Sequence, residues 1–402
     1  MIVRIIILLF FYVYTCFQCD AQSNYLADIS YPADISFCIA DLKFDGQNIK
    51  ICEFGQGSRS RFKGYDALYG KGKAWLQFWE YLSKYNKPFY IVTPENYALT
   101  KKNIGFNVND LQKFGGQLVS SLEALEHNQY FKKAEHTNYI NSDNTSRNPC
   151  AISSYDEIVV TNHASFGRGF FANFNLKHPN ILITDQASAF FVNSKYETTE
   201  LFKHPDLQKY RPKNIICKCV YDKKLVKSIT KKLNCEKYVI KPLNASRGSG
   251  IIIVDRLHLD KELKKILVDK QTLNTDDSSY KYWITAKDKN FLVEEFVSSK
   301  NILVDSKHYD ATMRVIFVLS HDMGNISVDF LGAYWKLPSR SLEEYGGLTK
   351  MHKSNINKNR KSAAAVDPQD FELVKKEMTQ AMSKAYALML EKRKLDLEKS
   401  YM

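Results

Sequence analysis

Apolar and polar positions divide the chain into two stretches of alternating strand and helix rhythm. Residues 35–54 carry two apolar runs joined by Phe44-Asp45-Gly46-Gln47, the pattern of two strands and a hairpin turn. Ala74–Tyr85 places Trp75, Phe78, Trp79 and Leu82 at helical spacing. Phe89–Thr93, Glu157–Thr161 and Ile181–Thr184 are short apolar strand runs, and Leu111–Tyr130 reads as a helix. His136–Pro149 is polar and rich in Asn and Ser, as loops are. Strands alternating with helices predict a small α/β domain over 24–187.

A second region, 188–402, opens with a helix over Lys195–Lys203 and a polar stretch His204–Lys213. Strands are expected at Ile215–Val220, Tyr238–Lys241, Ile251–Val254, Phe291–Val297, Thr312–Leu319 and Ile326–Trp335. Leu225–Leu233 is a basic amphipathic helix, and Asp370–Lys394 a long one. The polar segment Lys270–Lys289 reads as an insertion outside the core. The fold class is therefore α/β (α+β).

The start follows a different logic. Arg4 is the only charge before Asp20, Ile5–Val13 is unbroken apolar, and Cys19-Asp20-Ala21 offers small residues for cleavage after Ala21. Residues 1–21 are expected to be a signal peptide, with an uncleaved anchor as the alternative. The apolar run is short of the roughly 20 residues that span a bilayer. The mature chain is then exported.

Composition adds a sign. The 402 residues are 44% hydrophobic and 13% aromatic, which excludes a disordered chain. Lys and Arg number 57 against 44 Asp and Glu, a net charge of +13, which suits an anionic partner. The basic residues are dispersed and match no nucleic-acid-reading motif. Eight cysteines occur, two of them in the leader, and the remaining six permit three disulfides. Cys38 and Cys52, on the two arms of the hairpin, are candidates to face each other. Cys217-Lys-Cys219 lacks partners at zinc spacing.

The chemistry concentrates in Tyr238-Val-Ile-Lys-Pro-Leu-Asn-Ala-Ser-Arg-Gly-Ser-Gly-Ile-Ile-Ile-Val254. A lysine ends one strand, and a glycine loop leads into the next. Glycines let backbone N–H groups approach phosphate oxygens, and Lys241 adds a cation. The loop joins two strands, so it is not the strand–loop–helix P-loop.

This stretch resembles the phosphate-binding region of the ATP-grasp superfamily, most closely the tubulin–tyrosine-ligase-like amino-acid ligases and then the ribosomal-protein glutamate ligases. Other motifs follow in the family's order. Asn193-Ser-Lys195 is similar to the entry lysine. Phe291-Leu-Val-Glu-Glu-Phe-Val297 is similar to the interlobe hinge, and the strand carrying Asp310 and Arg314 to the ligases' lysine-aromatic-Asp-x-x-Arg strand. Met351-His-Lys-Ser-Asn-Ile-Asn-Lys358 is similar to the Asn-containing segment before the last helix. The likeness covers about 188–390.

The resemblance implies a two-lobed ATP-grasp-like domain after the small N-terminal one. It also implies an ATP-dependent carboxylate–amine ligase working through an acyl phosphate, with ATP and Mg2+ as cofactors. Lys195 and Lys241 would neutralise phosphates, with Ser246, Gly248, Ser249 and Gly250 as the loop. Glu294, Glu295 and Val297 would read adenine, and Asp305 or Asp310 would take the ribose hydroxyls. Arg314, Lys336 and Asn355 would serve the transferring phosphoryl group. The acceptor is open, and an acidic protein or peptide suits the charge.

The family's closing strand Asp and Glu-x-Asn motif, which hold the metal, are not found near the chain's end. Asp329 is the one substitute, and it is weak. An inactive nucleotide- or partner-binding relative is therefore the alternative function. His163 and Arg168 lie in a polar loop open to substrate contact. Asn144, Asn244 and Asn325 head glycosylation sequons, with Asn244 inside the phosphate loop.

Overall fold

The computed structural model describes residues 31–92, 106–119, 150–160, 178, 180–192, 194–245, 248–274, 276–344, 346–354 and 362–401. The leader, Asn193, Ser246, Asn355, His163 and Arg168 lie outside the described residues. The chain is of the α/β class. Its described strands, numbered in chain order, form three larger sheets and one small hairpin.

The central sheet has the order β15-β14-β13-β1-β2 and is antiparallel throughout. Its strands are β1 (Asp34–Phe44), β2 (Ile49–Gln56), β13 (Thr312–Asp322), β14 (Asn325–Lys336) and β15 (Ala363–Ala365). It joins residues from both sides of the expected 187/188 boundary. Both faces of this sheet are covered, so β1 and β13 are buried nearly throughout. Cys38, Ala40, Leu42, Met313, Val315 and Phe317 pack on one face, beneath the long helix Pro368–Tyr401. Ile35, Phe37, Ile39, Ile316 and Val318 pack on the other, against the helices Arg59–Tyr69 and Lys73–Ser83.

The second sheet is parallel, in the order β4-β3-β5-β6. It comprises β3 (Phe89–Val92), β4 (Gly116–Val119), β5 (Glu157–Val160) and β6 (Ile181–Ile183). Of the helix expected over Leu111–Tyr130, the described part is a short helix, Val108–Lys113, followed by β4, and 120–130 lie outside the described residues. Gly115 takes φ +79° there, which stops the helix, and a Cβ on Gly116 would lie 2.5 Å from Phe89 Cε2.

The third sheet is antiparallel, β7-β10-β8-β9. Its strands are β7 (Asn214–Lys218), β8 (Lys237–Pro242), β9 (Ile252–Asp255) and β10 (Asn290–Glu295). The helices Lys223–Leu233 and Leu259–Leu267 cover one face, meeting Tyr238, Ile240, Phe291 and Val293. By period two, Lys241 and Glu294 must then point from the opposite face. The segment expected to be an insertion belongs to this lobe. Its helix Ser278–Thr285 buries Trp283, which donates to the Gly250 carbonyl at 2.9 Å. The remaining pair, β11 (Ile302–Val304) and β12 (Lys307–Tyr309), forms a hairpin whose turn residues Asp305 and Ser306 both take positive φ. Among the described residues no helix is long and apolar enough to cross a membrane.

Candidate functional site

Lys241 ends β8 and faces away from its lobe's core. Leu292 of β10 lies opposite it, so Glu294, two residues on, projects from the same face. The Lys241 ammonium donates to Glu294 Oε2, and Arg211 Nη2 donates to Glu294 Oε1 at 3.0 Å. Burial works against the Lys241 charge, but Glu294 outweighs it and raises the lysine's pKa. Arg211 also reaches Thr199 Oγ1 at 3.1 Å, while its Nε and Nη1 are buried without a hydrogen-bond partner.

Lys195 starts the helix Lys195–Leu201, whose N-cap Ser194 accepts from the Glu197 N–H at 3.2 Å. Its ammonium donates to the carbonyls of Leu243 and Ala245, holding the start of the glycine loop. Desolvation lowers its pKa. Gly248 and Gly250 both sit at φ +72°. A Cβ on Gly250 would come within 2.4 Å of Pro242 Cγ. The Gly250 N–H is already committed to the Ser278 carbonyl at 3.0 Å, so any cradle uses other loop groups. Ser249 is half-buried.

Beside these groups lies a cavity of about 190 Å³ lined by Glu53, Arg61, Lys195, Arg211, Asn244 and Ala245, among others. Its far wall is the end of β2 and the start of the helix Arg59–Tyr69. A row of charge crosses the central sheet behind that wall. Asp41 of β1 pairs in register with Glu53 of β2 and with Arg314 of β13. Arg314 grips Asp41 with Nε at 2.6 Å and Nη2 at 2.7 Å, and Lys336 reaches Asp41 Oδ2 at 2.6 Å. Arg314 Nη1 donates to the Arg61 carbonyl at 2.9 Å. Burial alone would raise the Asp41 pKa, but Arg314 and Lys336 hold it below the usual carboxylate range.

The expected residues thus fall into two groups. Lys195 lines the cavity together with Asn244 and Ala245 at the entry to the glycine loop, and the Lys241–Glu294 pair joins it through Arg211. Arg314 and Lys336 lie in the neighbouring row, tied to Asp41 rather than open. Glu295 accepts from the Lys213 N–H at 2.8 Å, and Val297 follows β10 half-buried.

Asp310 is not placed to take a ribose. Its carboxylate takes the Lys43 ammonium at 3.0 Å, the Ser299 N–H at 2.7 Å and the His352 ring at 2.6 Å, and it is 1% exposed. Nor does Asp329 belong to the site. It stands opposite Val318 and accepts from Ser327 at 2.7 Å, and its charge is felt by Tyr81 and Tyr85 of the helical layer.

Four residues were not singled out from the sequence: Asp41, Glu53, Arg61 and Arg211. Asp41 had a visible signal, a lone charge in the apolar run Ile39-Ala-Asp-Leu42. Its partner Arg314, 273 residues away, is marked in the sequence by the resemblance.

The resemblance implies magnesium, which needs oxygen ligands free to coordinate. The described carboxylates do not fit that requirement. Asp41 and Glu294 each spend both oxygens on cations, and Glu53 stands 3.8 Å from Arg61 Nη2. Among the described residues no three His, Cys, Asp or Glu side chains converge as metal ligands. All six described cysteines are free thiols, including Cys38 and Cys52, because Cys38 pairs in register with Gln56.

No protein-family model matches the chain, and no curated protein sequence matches it. Among solved structures it is similar to a glutathione-synthetase-like effector from Globodera pallida, in apo form, at 13% identity and a TM-score of 0.38. That likeness covers 77% of this chain and 74% of the effector. A putative gamma-glutamylcysteine synthetase from Methylobacillus flagellatus is 11% identical over 94% of each chain, with a TM-score of 0.40. A D-alanine–D-alanine ligase from Coxiella burnetii is 9% identical over 78% of this chain and 99% of the ligase, with a TM-score of 0.31. At these values the likenesses place the chain in no family.

Proposed function

We propose that the cavity binds ATP and that the chain is an ATP-dependent carboxylate–amine ligase of the ATP-grasp kind. The observation that carries this reading is the convergence of Arg61, Lys195 and Arg211 on one cavity at the entry to the glycine loop, with Lys241 held beside Arg211 by their shared Glu294. In such a reaction a carboxylate oxygen attacks the terminal phosphorus and ADP leaves. The amine then attacks the acyl carbon and phosphate leaves. Negative charge accumulates on the phosphoryl oxygens, and fixed cations lower that barrier. Lys195 faces the phosphates, and Lys241 adds its charge from behind the wall. Arg314 and Lys336 raise the potential of the far wall from their row on Asp41. An acidic peptide is the proposed acceptor, on the strength of the net charge of +13.

Calorimetry with ATP on the protein and on Lys241→Ala tests the nucleotide site. Glu294 keeps Arg211 as partner in the variant, so the fold is expected to survive. ATP affinity should fall at least about tenfold, as expected for losing one charge-assisted contact. Unchanged affinity would remove the assignment. ADP release on adding amino acids and Glu-rich or neutral peptides then tests ligation.

Nucleotide binding without ligation is the second reading. The observation favouring it is that both Arg314 and Lys336 are engaged by Asp41. Binding of ATP with no ADP release for any acceptor would select it. Export by the leader over 1–21 is part of the proposal, and N-terminal sequencing of the mature protein checks it.

A further inference from the structure

The cleft holds more cations than carboxylates. Arg61, Lys195 and Arg211 line the cavity, and Lys241, Arg314 and Lys336 stand just behind it. Against these six stand Asp41, Glu53 and Glu294, so three positive charges are in excess. The acceptors are committed. Asp41 has Arg314 and Lys336, Glu294 has Arg211 and Lys241, and Glu53 faces Arg61.

The donors are not. Arg61 Nη1 and Arg211 Nε and Nη1 are buried without a hydrogen-bond partner. The Arg211 side chain is 3% exposed, so bulk solvent does not reach it. Gly55 makes room for the other arginine, since a Cβ there would fall 1.3 Å from Arg61 Nη1. Buried donors left unmatched are costly unless a ligand meets them. A divalent cation brings no acceptors of its own and asks for carboxylates, of which Asp41 and Glu294 are already spent and Glu53 faces Arg61. A polyphosphate is all acceptor, and arginine meets it without a metal.

We propose that the cleft takes its nucleotide as the metal-free polyanion, with Arg61 and Arg211 supplying charge and hydrogen bonds to the phosphate oxygens. This rests on the reading of the cleft as a nucleotide site. It concerns the bound form of the nucleotide and not a reaction step.

The test is calorimetry on the full chain with ATP, once in EDTA and once in excess magnesium chloride. Binding in EDTA should be at least as tight as in magnesium. Arg61→Gln, at a side chain 25% exposed, should leave the melting temperature in place and weaken ATP binding in EDTA about tenfold or more. Glu53→Gln removes one of the three carboxylates and should leave that binding unchanged or tighter.

Binding that requires magnesium, loss of binding in magnesium on Glu53→Gln, or an indifferent Arg61→Gln would each overturn the inference. Magnesium-only binding would do so while leaving the nucleotide site standing. Absence of binding in both buffers would remove the nucleotide site and the inference together.

Discussion

Single buried charges decide most of what is unusual about this molecule. Asp41 alone answers two cations, Arg314 and Lys336. Removing one member of such a buried set strands the others. Asp41→Asn is therefore expected to cost about 3–5 kcal/mol in urea denaturation. A smaller loss, near that of an exposed pair, would show that solvent reaches the row.

Asp185 makes the opposite case. It is buried, accepts from the Phe37 N–H at 2.6 Å and from Gln56 Nε2 at 2.7 Å, and its pKa is pushed up to about 8 by burial. The folded state thus keeps a proton that the unfolded chain gives up near pH 4. Between about pH 4 and 8 the folded form binds more protons, so stability contributed by this group falls as pH rises. It is fully present below pH 4 and lost through pH 8. Asp185→Asn, which also tolerates the residue's φ of +63°, should flatten that slope whatever its absolute stability. Denaturant midpoints at pH 5, 7 and 9 for both proteins check this.

At the scale of elements, the hairpin β1–β2 and the strands β8 and β10 are legible in the sequence, because apolar runs and turn residues mark them directly. Lys241 and Glu294 were legible for the same reason, since each ends a strand beside a polar segment. What the pattern does not carry is partnership. Period two tells which face a residue takes, but not that β1 pairs with β13. Asp41 and Arg314 therefore looked like two unrelated buried charges.

The helix Ser278–Thr285 was hidden by its polar surroundings, with Trp283 as its one fully buried large apolar side chain. That tryptophan packs on Phe291 at 6.0 Å between centroids and fixes the Gly250 carbonyl. Trp283→Phe should keep the packing and lose the hydrogen bond, whereas Trp283→Ala should cost about 3–5 kcal/mol. Limited proteolysis at the glycine loop should speed up for both. An unchanged loop in Trp283→Phe would separate it from the tryptophan.

At the scale of the whole molecule, the central sheet ties the two ends of the chain together. A chain starting at Ser188 would lack β1 and leave β13 with an open, apolar edge. It is expected to aggregate or stay unfolded, and circular dichroism with size-exclusion chromatography reads the result. A soluble, cooperatively melting fragment would show that the second region is self-contained. The Asn244 sequon is a second test at this scale, because Asn244 lines the cavity. Glycosylated protein should bind ATP measurably less than the same protein after enzymatic deglycosylation.

The place of β1 also has a consequence in time. A ribosome emits β1 long before its neighbour β13, which follows only after some 270 more residues, as the Asp41–Arg314 separation of 273 shows. Closing so long a loop is entropically slow, and contacts of this range delay folding. The nascent polypeptide consequently stays without its central layer until β13 has been made. That delay is an asset for a polypeptide threaded through a translocation pore, and a liability wherever chaperones are scarce.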